Sequence, residues 1–399
     1  MSAPRTVLPC KVLQVVPSIA RVYGGPSQMI RGFSAALARA GADVTVLTTN
    51  SNGDNGQAPL DVPLDRPVEQ DGYQVRYFPC SLFRRYKFSP ALLSWLWQNA
   101  YRFEIAHIHA LFSPVSSLSA WMCRTRHLPY ILRPLGTLDP ADLRKKRWLK
   151  QLYVTAIEGA NLKHAAAIHF TAADEAKISH RFGATTPDLV LPLGVDPPPL
   201  ITDRSCLEDF AIDPDRPLLL YMSRIEPKKG LDLLIPALEQ VAAAGLDFQF
   251  VLAGANPQDP DYERRILQQI QGSSIAKRTI ATGFISGDMK AALIDRADLF
   301  VLPSYYENFG IAVAEAMVAG VPVLISDRVQ IWDAIRETDS GWVVPCDTGA
   351  IVTALREALE QPEMRKQRGR NAQTCALDRY SWDAIAERML AVYQQLGRF

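Results

Sequence analysis

Val301-Leu302-Pro303-Ser304-Tyr305-Tyr306-Glu307-Asn308-Phe309-Gly310-Ile311-Ala312-Val313-Ala314-Glu315-Ala316-Met317 is the stretch around which the chain is organised. The run from Asp298 to Leu302 reads as the end of a buried strand, the polar segment after it as a turn, and the Ala-rich pattern towards Gly320 as a helix. That order predicts one βα unit. The turn is expected to place the amide N–H groups of Asn308, Phe309, Gly310 and Ile311 at the helix start, where unpaired donors and the positive end of the helix dipole favour phosphate oxygens. Glu307 stands before the helix and Glu315 inside it, roughly 12 Å further along at 1.5 Å per residue. One carboxylate cannot serve both places, so the pair suits a ligand that is anionic in its middle and rich in hydroxyls at both ends.

Composition sets the outer bounds. A chain of 399 residues can bury two cores. Lys and Arg number 43 against 42 Asp and Glu, for a net charge of +1; that balance speaks against nucleic acid as a partner, which needs a strongly basic domain. Six cysteines stand singly, with no CxxC pair and no histidine at metal-ligand spacing. They read as reduced thiols of a cytoplasmic protein, with no metal and no cofactor expected. Val12 to Val16 is too short for the apolar core of a signal peptide, and no apolar run reaches the length of a membrane span, so any membrane contact is expected to be peripheral.

Before the central stretch, the pattern of a doubly wound fold recurs twice. Val12–Val16, the turn Gly24-Gly25-Pro26 and a helical run from Ser27 to Arg39 give strand, glycine turn and helix. Gly24 and Gly25 either let a ligand approach the backbone or form an ordinary βα loop. A strand at Val44–Thr48 is followed by Asn50–Glu69, a polar stretch read as a mobile loop, and by an alternating strand at Tyr73–Phe78. Arg84, Arg85 and Lys87 either form a solvated face or hold a phosphate through charge-assisted bonds. Ile105–His109 is a short strand that ends on His109, where ligands of open α/β sheets collect; the alternative is a satisfied structural histidine. His107 lies on the same face. Tyr130–Arg133 and the exit loop to Gly136 follow, with Arg133 either pairing with phosphate or closing the sheet edge. The basic, aromatic segment Lys145–Lys163 reads as a helix that rests on an anionic membrane or packs with its lysines snorkelling. After a strand at 166–171, the prolines at 197–199 mark a linker.

The second series opens at Leu218–Met222, runs into Arg224, Lys228, Lys229 and Gly230, and continues through a helix at 231–244 and strands near 248–253, 323–327 and 341–345. A helical tail, 376–399, carries Tyr380-Ser381-Trp382 and is expected to return to the first domain. These boundaries divide the chain into a first Rossmann-like domain 1–193, a linker 194–199, a second Rossmann-like domain 200–375 and the tail 376–399.

Glu307-x7-Glu315, with 300–304 before it and Ala319-Gly320-Val321-Pro322-Val323 after it, resembles the E-x7-E signature of the retaining glycosyltransferases of family 4. Arg224-x4-Lys229-Gly230 after a strand is similar to a second hallmark of that family. So are the run 104–109 and the element Pro192-Leu193-Gly194-Val195-Asp196, although Leu193 replaces the usual Asn. The resemblance implies GT-B architecture, an α/β fold of two doubly wound Rossmann-like domains facing across a cleft. It implies that Glu307, His109, Arg224 and Lys229 are the catalytic set, with His109 on the donor sugar and both cations on a diphosphate. Glu315, Asn308, Phe309, Gly310, Ile311, Gly283, Gly25 and Gly24 are then the nucleotide-sugar contacts. Ser27, Arg84, Arg85, Lys87, Arg133 and Gly136 face the acceptor.

The expected reaction is metal-independent, retaining transfer of a hexose, glucose from UDP-glucose, to a sugar or sugar phosphate. Fructose 6-phosphate, as in sucrose-phosphate synthases, is the small-molecule candidate, and a lipid-linked or polysaccharide glycan is the other. Two other classes stay open, a nucleotide-sugar epimerase and a UDP-sugar sensor without activity.

Overall fold

The computed structural model describes residues 9–23, 25–53, 57–64, 66–81, 87–138, 153–197, 199, 205–257 and 259–398. They form two compact units, Met1–Gly194 with Trp382–Phe399, and Val195–Ser381. Gly24, Arg84, Arg85 and positions 145–152 of the expected basic helix lie outside the described residues.

In the first unit, β1 (Lys11–Val15), α1 (Gly25–Arg39), β2 (Asp43–Thr49), β3 (Pro67–Gln70) and β4 (Tyr73–Phe78) are followed by α2 (Pro90–Asn99), β5 (Ile105–His109), α3 (Pro114–Thr125) and β6 (Tyr130–Arg133). Then come α4 (Gly159–His164), β7 (Ala167–Phe170), α5 (Ala173–Ile178) and β8 (Asp188–Val190). The sheet order is β3-β4-β2-β1-β5-β6-β7-β8. All neighbours are parallel except β3 and β4. The central strands β5 and β6 are buried at every position, as parallel strands covered on both faces must be. The strand order reverses between β1 and β5, and the carboxyl ends there are where an open sheet places ligands.

The end of the polar stretch 50–69 departs from the expected loop. Pro67–Gln70 is an edge strand, joined to β4 by the two-residue turn Asp71-Gly72 with φ of 42° and 82°. Asp-Gly is a favoured pair for a tight hairpin because both positions need positive φ. The polar, alternating residues of β3 concealed a strand that has only one neighbour.

The second unit contains β9 (Leu218–Met222), α6 (Leu231–Ala243), β10 (Gln249–Ala253), α7 (Pro260–Gln271), β11 (Thr279–Gly283), α8 (Gly287–Arg296), β12 (Leu299–Leu302) and α9 (Ile311–Val318). It closes with β13 (Val323–Ser326), α10 (Trp332–Glu337), β14 (Gly341–Val344), α11 (Thr348–Glu360) and α12 (Pro362–Tyr380). Its sheet runs β11-β10-β9-β12-β13-β14 and is parallel throughout. The order reverses between β9 and β12, so the loops leaving those two strands meet at the ligand-binding position of the unit.

The tail divides later than the sequence implies. α12 extends to Tyr380 and stays with the second unit; Ser381 is extended (φ −67°, ψ 145°), and Val195 donates to the Tyr380 carbonyl at 2.7 Å. Only α13 (Trp382–Leu396) belongs to the first unit. Its buried residues Trp382, Ile385, Ala386, Met389 and Tyr393 recur at helical spacing. Trp382 fits a slot that two glycines leave open: a Cβ on Gly32 would lie 2.6 Å from the indole, and one on Gly194 only 2.2 Å. Phe33 packs beside it, ring centroids 6.2 Å apart. Trp382→Ala should therefore destabilise the protein by about 3–5 kcal/mol, the range for a buried aromatic truncated to alanine. Urea unfolding measures this, and a loss under about 1 kcal/mol would show that the helix is not anchored by its tryptophan.

Candidate functional site

The loops after β9 and β12 are joined first by backbone. Tyr305 N–H donates to the Lys228 carbonyl at 2.8 Å. Gly230 makes the approach possible, since it has φ 73° and an added Cβ would sit 2.0 Å from the Pro303 carbonyl oxygen. Only glycine fits there without moving backbone. The neighbouring side chain, Lys229, is buried and its ammonium forms an ion pair with Glu307. Glu307 is itself fixed in a short parallel bridge, its N–H donating to Arg328 O and its carbonyl accepting from Gln330 N, each at 3.1 Å. The pair is thus held by backbone on both sides.

Gly310, at φ 82°, caps α9. The helix begins at Ile311, so the unpaired amides of its first turn belong to Gly310, Ile311, Ala312 and Val313. Asn308 and Phe309 precede that turn, a shift of two residues from the sequence reading. Phe309 is buried edge-on against Tyr380, centroids 5.4 Å apart, and Asn308 accepts from the Tyr306 hydroxyl at 3.2 Å. The positive φ that glycine permits ends the loop and starts the helix, which explains the displacement.

Arg224 leaves β9 as expected but pairs with Glu226 at 2.5 Å, half exposed, rather than with a partner across the loops. Glu226 also faces Lys228 at 3.5 Å. Glu315 is held by Lys290 of α8 at 2.6 Å. The structure therefore joins Lys229 to Glu307 and Lys290 to Glu315. Lys290, Glu226 and the buried Asn256, whose side-chain amide supports the Ile225 carbonyl at 2.9 Å, are site residues that sequence reasoning missed. Gly283 ends β11 at φ 69° with open space around it.

In the first unit, the histidines sit in a buried network. His109 Nε2 meets Gln14 Oε1 at 2.6 Å, Gln14 donates to the Tyr393 hydroxyl at 3.0 Å, and that hydroxyl lies 2.7 Å from His107 Nδ1. His107 Nε2 meets His169 Nδ1 at 3.3 Å, and His169 Nε2 lies 2.8 Å from the Leu191 carbonyl oxygen. His109 Nδ1 is buried without a partner. Just beyond His109, Ala110 and Phe112 take positive φ of 64° and 59°. The Glu158 carboxylate fixes that turn by accepting from Phe112 N–H and the Ser117 hydroxyl, each at 3.2 Å. Strain at the end of a central strand is characteristic of a working edge.

The acceptor-side residues scatter. Arg133 is buried with its guanidinium 2.8 Å from Met29 sulfur. Because β6 has neighbours on both sides, Arg133 closes no sheet edge. Burial lowers its pKa to about 10. Ser27 is buried near the start of α1, where Gly25 is the first residue, and its hydroxyl has no partner. Lys87 lies over the Tyr23 ring at 4.6 Å, and Gly136 stands in open space at φ 80°. Among the described residues, no group of three or more His, Cys, Asp or Glu is placed to hold a metal ion.

Comparison with known families matches this division of the chain. Residues 206–374 match the family described as Glycosyl transferases group 1, and residues 24–194 match the Glycosyl transferase 4-like domain. The chain belongs to glycosyltransferase family 4. It is 32% identical over 191 residues to the alpha-D-kanosaminyltransferase of Streptomyces kanamyceticus, covering 48% of each chain, so the match spans about half of that relative. It is 25% identical over 394 residues to the phosphatidyl-myo-inositol mannosyltransferase of Mycobacterium leprae, covering 97% of both. Among solved structures it superposes on the sucrose-phosphate synthase of Thermosynechococcus elongatus with a TM-score of 0.71, 22% identity and coverage of 97% and 99%. Anabaena HepE, crystallised with UDP-glucose, gives a TM-score of 0.71, 18% identity and coverage of 97% and 100%. At these identities the structures show the fold, which is GT-B, built from two Rossmann-like domains.

In this family 4 chain the histidine network makes a measurable demand on pH. Burial is the first cause that holds His107 and His109 well below the ordinary histidine range and His169 at about 3, with charge on neighbours adding to it. Below about pH 6.5 the unfolded chain takes up these protons while the folded chain does not. Stability is therefore full above pH 6.5 and falls as pH drops towards the folded values, by roughly 1.4 kcal/mol per pH unit for each histidine. His169→Asn should remove about one proton from that slope, measured by urea unfolding between about pH 5 and 7. An unchanged slope would show that His169 is protonated in the fold.

Proposed function

We propose that this chain is a retaining glycosyltransferase that moves glucose from UDP-glucose to an acceptor hydroxyl. The observation that carries the proposal is the Lys229–Glu307 pair beside the start of α9, at the strand-order reversal of the second unit. A lysine ammonium has three donors. With one held by Glu307, the others are free to meet a phosphate, and the amides of Gly310 and Ile311 supply further donors. Arg224 adds a second cation from the same loop. Fixed donors aimed at a leaving diphosphate stabilise the charge that grows as the bond to the sugar breaks.

In this account the bond from the anomeric carbon to the β-phosphate oxygen lengthens first, leaving an oxocarbenium-like sugar. The acceptor oxygen then bonds to that carbon on the same face, and its proton passes to the departing phosphate. Atoms and charge balance without an added reagent, and the two cations with the helix start supply the neutralisation a divalent ion gives elsewhere. Glu307 orients the sugar and Glu315 the ribose, while His109 is assigned to the sugar through the family resemblance.

UDP-glucose as donor is supported by the fold shared with HepE, whose crystal holds it. A sugar phosphate such as fructose 6-phosphate is supported by the fold shared with a sucrose-phosphate synthase. A lipid-linked acceptor is the second reading, favoured by the likeness to a phosphatidyl-myo-inositol mannosyltransferase along 97% of the chain.

Lys229→Met and Glu307→Gln should each reduce UDP release by about 10²-fold or more, the usual cost of removing one transition-state donor, with circular dichroism unchanged. Release should persist in EDTA, and NMR of the product should show the donor's anomeric configuration. Near-normal turnover in both variants overturns the assignment of the site. A changed sugar formed from donor alone would indicate an epimerase, and UDP binding without release in any acceptor mixture would indicate a sensor.

A further inference from the structure

Residues 72–138 contain eight Lys or Arg and a single acidic residue, Glu104, in a chain whose charges balance overall. The Glu104 carboxylate is already taken by the Lys11 amide. Neither α2 nor α3, which both lie in this span, has an acidic residue. Each buries a conventional apolar side, Leu92, Leu93 and Leu96 on α2 and Val115, Ala120 and Cys123 on α3. Their outer side is not conventional. Trp97 of α2 is 37% exposed and Trp121 of α3 40%, and Tyr101, in the turn that follows α2, is 69% exposed. The two indoles stack with centroids 6.2 Å apart at 18°, and the Arg126 guanidinium lies 5.1 Å from the Trp97 ring. Arg102, in the turn after α2, and His127, just beyond α3, are also exposed.

We propose that this face of the first unit docks on the headgroup surface of an anionic lipid bilayer. Tryptophan and tyrosine have an apolar body with a polar tip and settle at the boundary between headgroups and acyl chains, while arginine pairs with lipid phosphate. A face poor in acidic residues gains from the negative potential of such a leaflet through its exposed cations, Arg102 and Arg126. A second copy of the chain fits less well, because an isologous contact would set this cation-bearing patch against its own copy. No described helix is long and apolar enough to cross a membrane, so the contact is peripheral. The inference goes beyond the transfer reaction and does not rest on it, since it is read without donor or acceptor.

The test uses the full chain in flotation with phosphatidylcholine vesicles, with and without phosphatidylglycerol. Binding should require phosphatidylglycerol and fall as salt rises. Trp97→Ser with Trp121→Ser, and separately Arg102→Glu with Arg126→Glu, should each weaken it by about tenfold or more, beyond the roughly fivefold that one surface cation contributes. UDP release to a water-soluble acceptor should be unchanged in both variants, which shows that they remain folded. Equal binding to both vesicle types, or undiminished binding by both double variants, overturns the proposal. So does a dimer, seen by light scattering, that the tryptophan variant dissociates, because a second copy would then be the occupant.

Discussion

Lys229 keeps an ammonium group where only 8% of its side chain meets solvent, and the Glu307 carboxylate is what makes that tolerable. Burying an isolated cation is costly because it gives up its hydration. The paired carboxylate offsets that cost, so the ion-paired Lys229 stands at the carboxyl edge of the sheet before any ligand arrives. Its partner is no more mobile, since Glu307 is pinned between Arg328 and Gln330 by its own backbone. Charge held in advance need not be reorganised when a substrate demands it.

That pair depends on a backbone detail one residue away. Gly230 carries no side chain where the Pro303 carbonyl passes, so the loops from β9 and β12 close to hydrogen-bonding distance. Strand order brings the two loops to the same edge, and the glycine lets them touch. Below them Ser326 donates to the Ser304 carbonyl, and Asn256 supports Ile225, so the support continues into the neighbouring loops. The site is a consequence of where the sheet reverses, made specific by a few small or amide side chains.

This also explains which parts were legible in the sequence. The parallel core strands could be read because burial on both faces leaves unbroken apolar runs, as in Leu218–Met222 and Leu299–Leu302. Glu307, Arg224 and Lys229 could be singled out because each lies at a strand exit or just before a helix, and Glu315 because its spacing from Glu307 sets it inside that same helix. Lys290 was not, because a lysine on an amphipathic helix reads as a solvated charge until folding places it 2.6 Å from Glu315. The pairing of Arg224 with Glu226 was equally hidden, since two charges two residues apart on a loop have no fixed relation until the loop closes. The histidine network was half visible. His107 and His109 share a strand, but His169 and Tyr393 come from elements 62 and 286 residues from His107.

Tyr393 shows how far such long-range closure governs the first unit. Its hydroxyl is fully buried between Gln14 of the first strand and His107 of the fifth, although it arrives on the last helix. Each paired ring nitrogen or amide in this network has one role fixed by its neighbour, so removing a member would leave a buried donor or acceptor with no replacement. Burial keeps the three imidazoles neutral, and neutral rings can accept as well as donate, which a protonated ring cannot. The same chain reaches the end of β5, where Glu158 holds the strained turn at Ala110 and Phe112. A polar core that stays uncharged thus connects the returning helix to the working edge of the sheet, and His109, with Nδ1 still unpaired, is its terminal member.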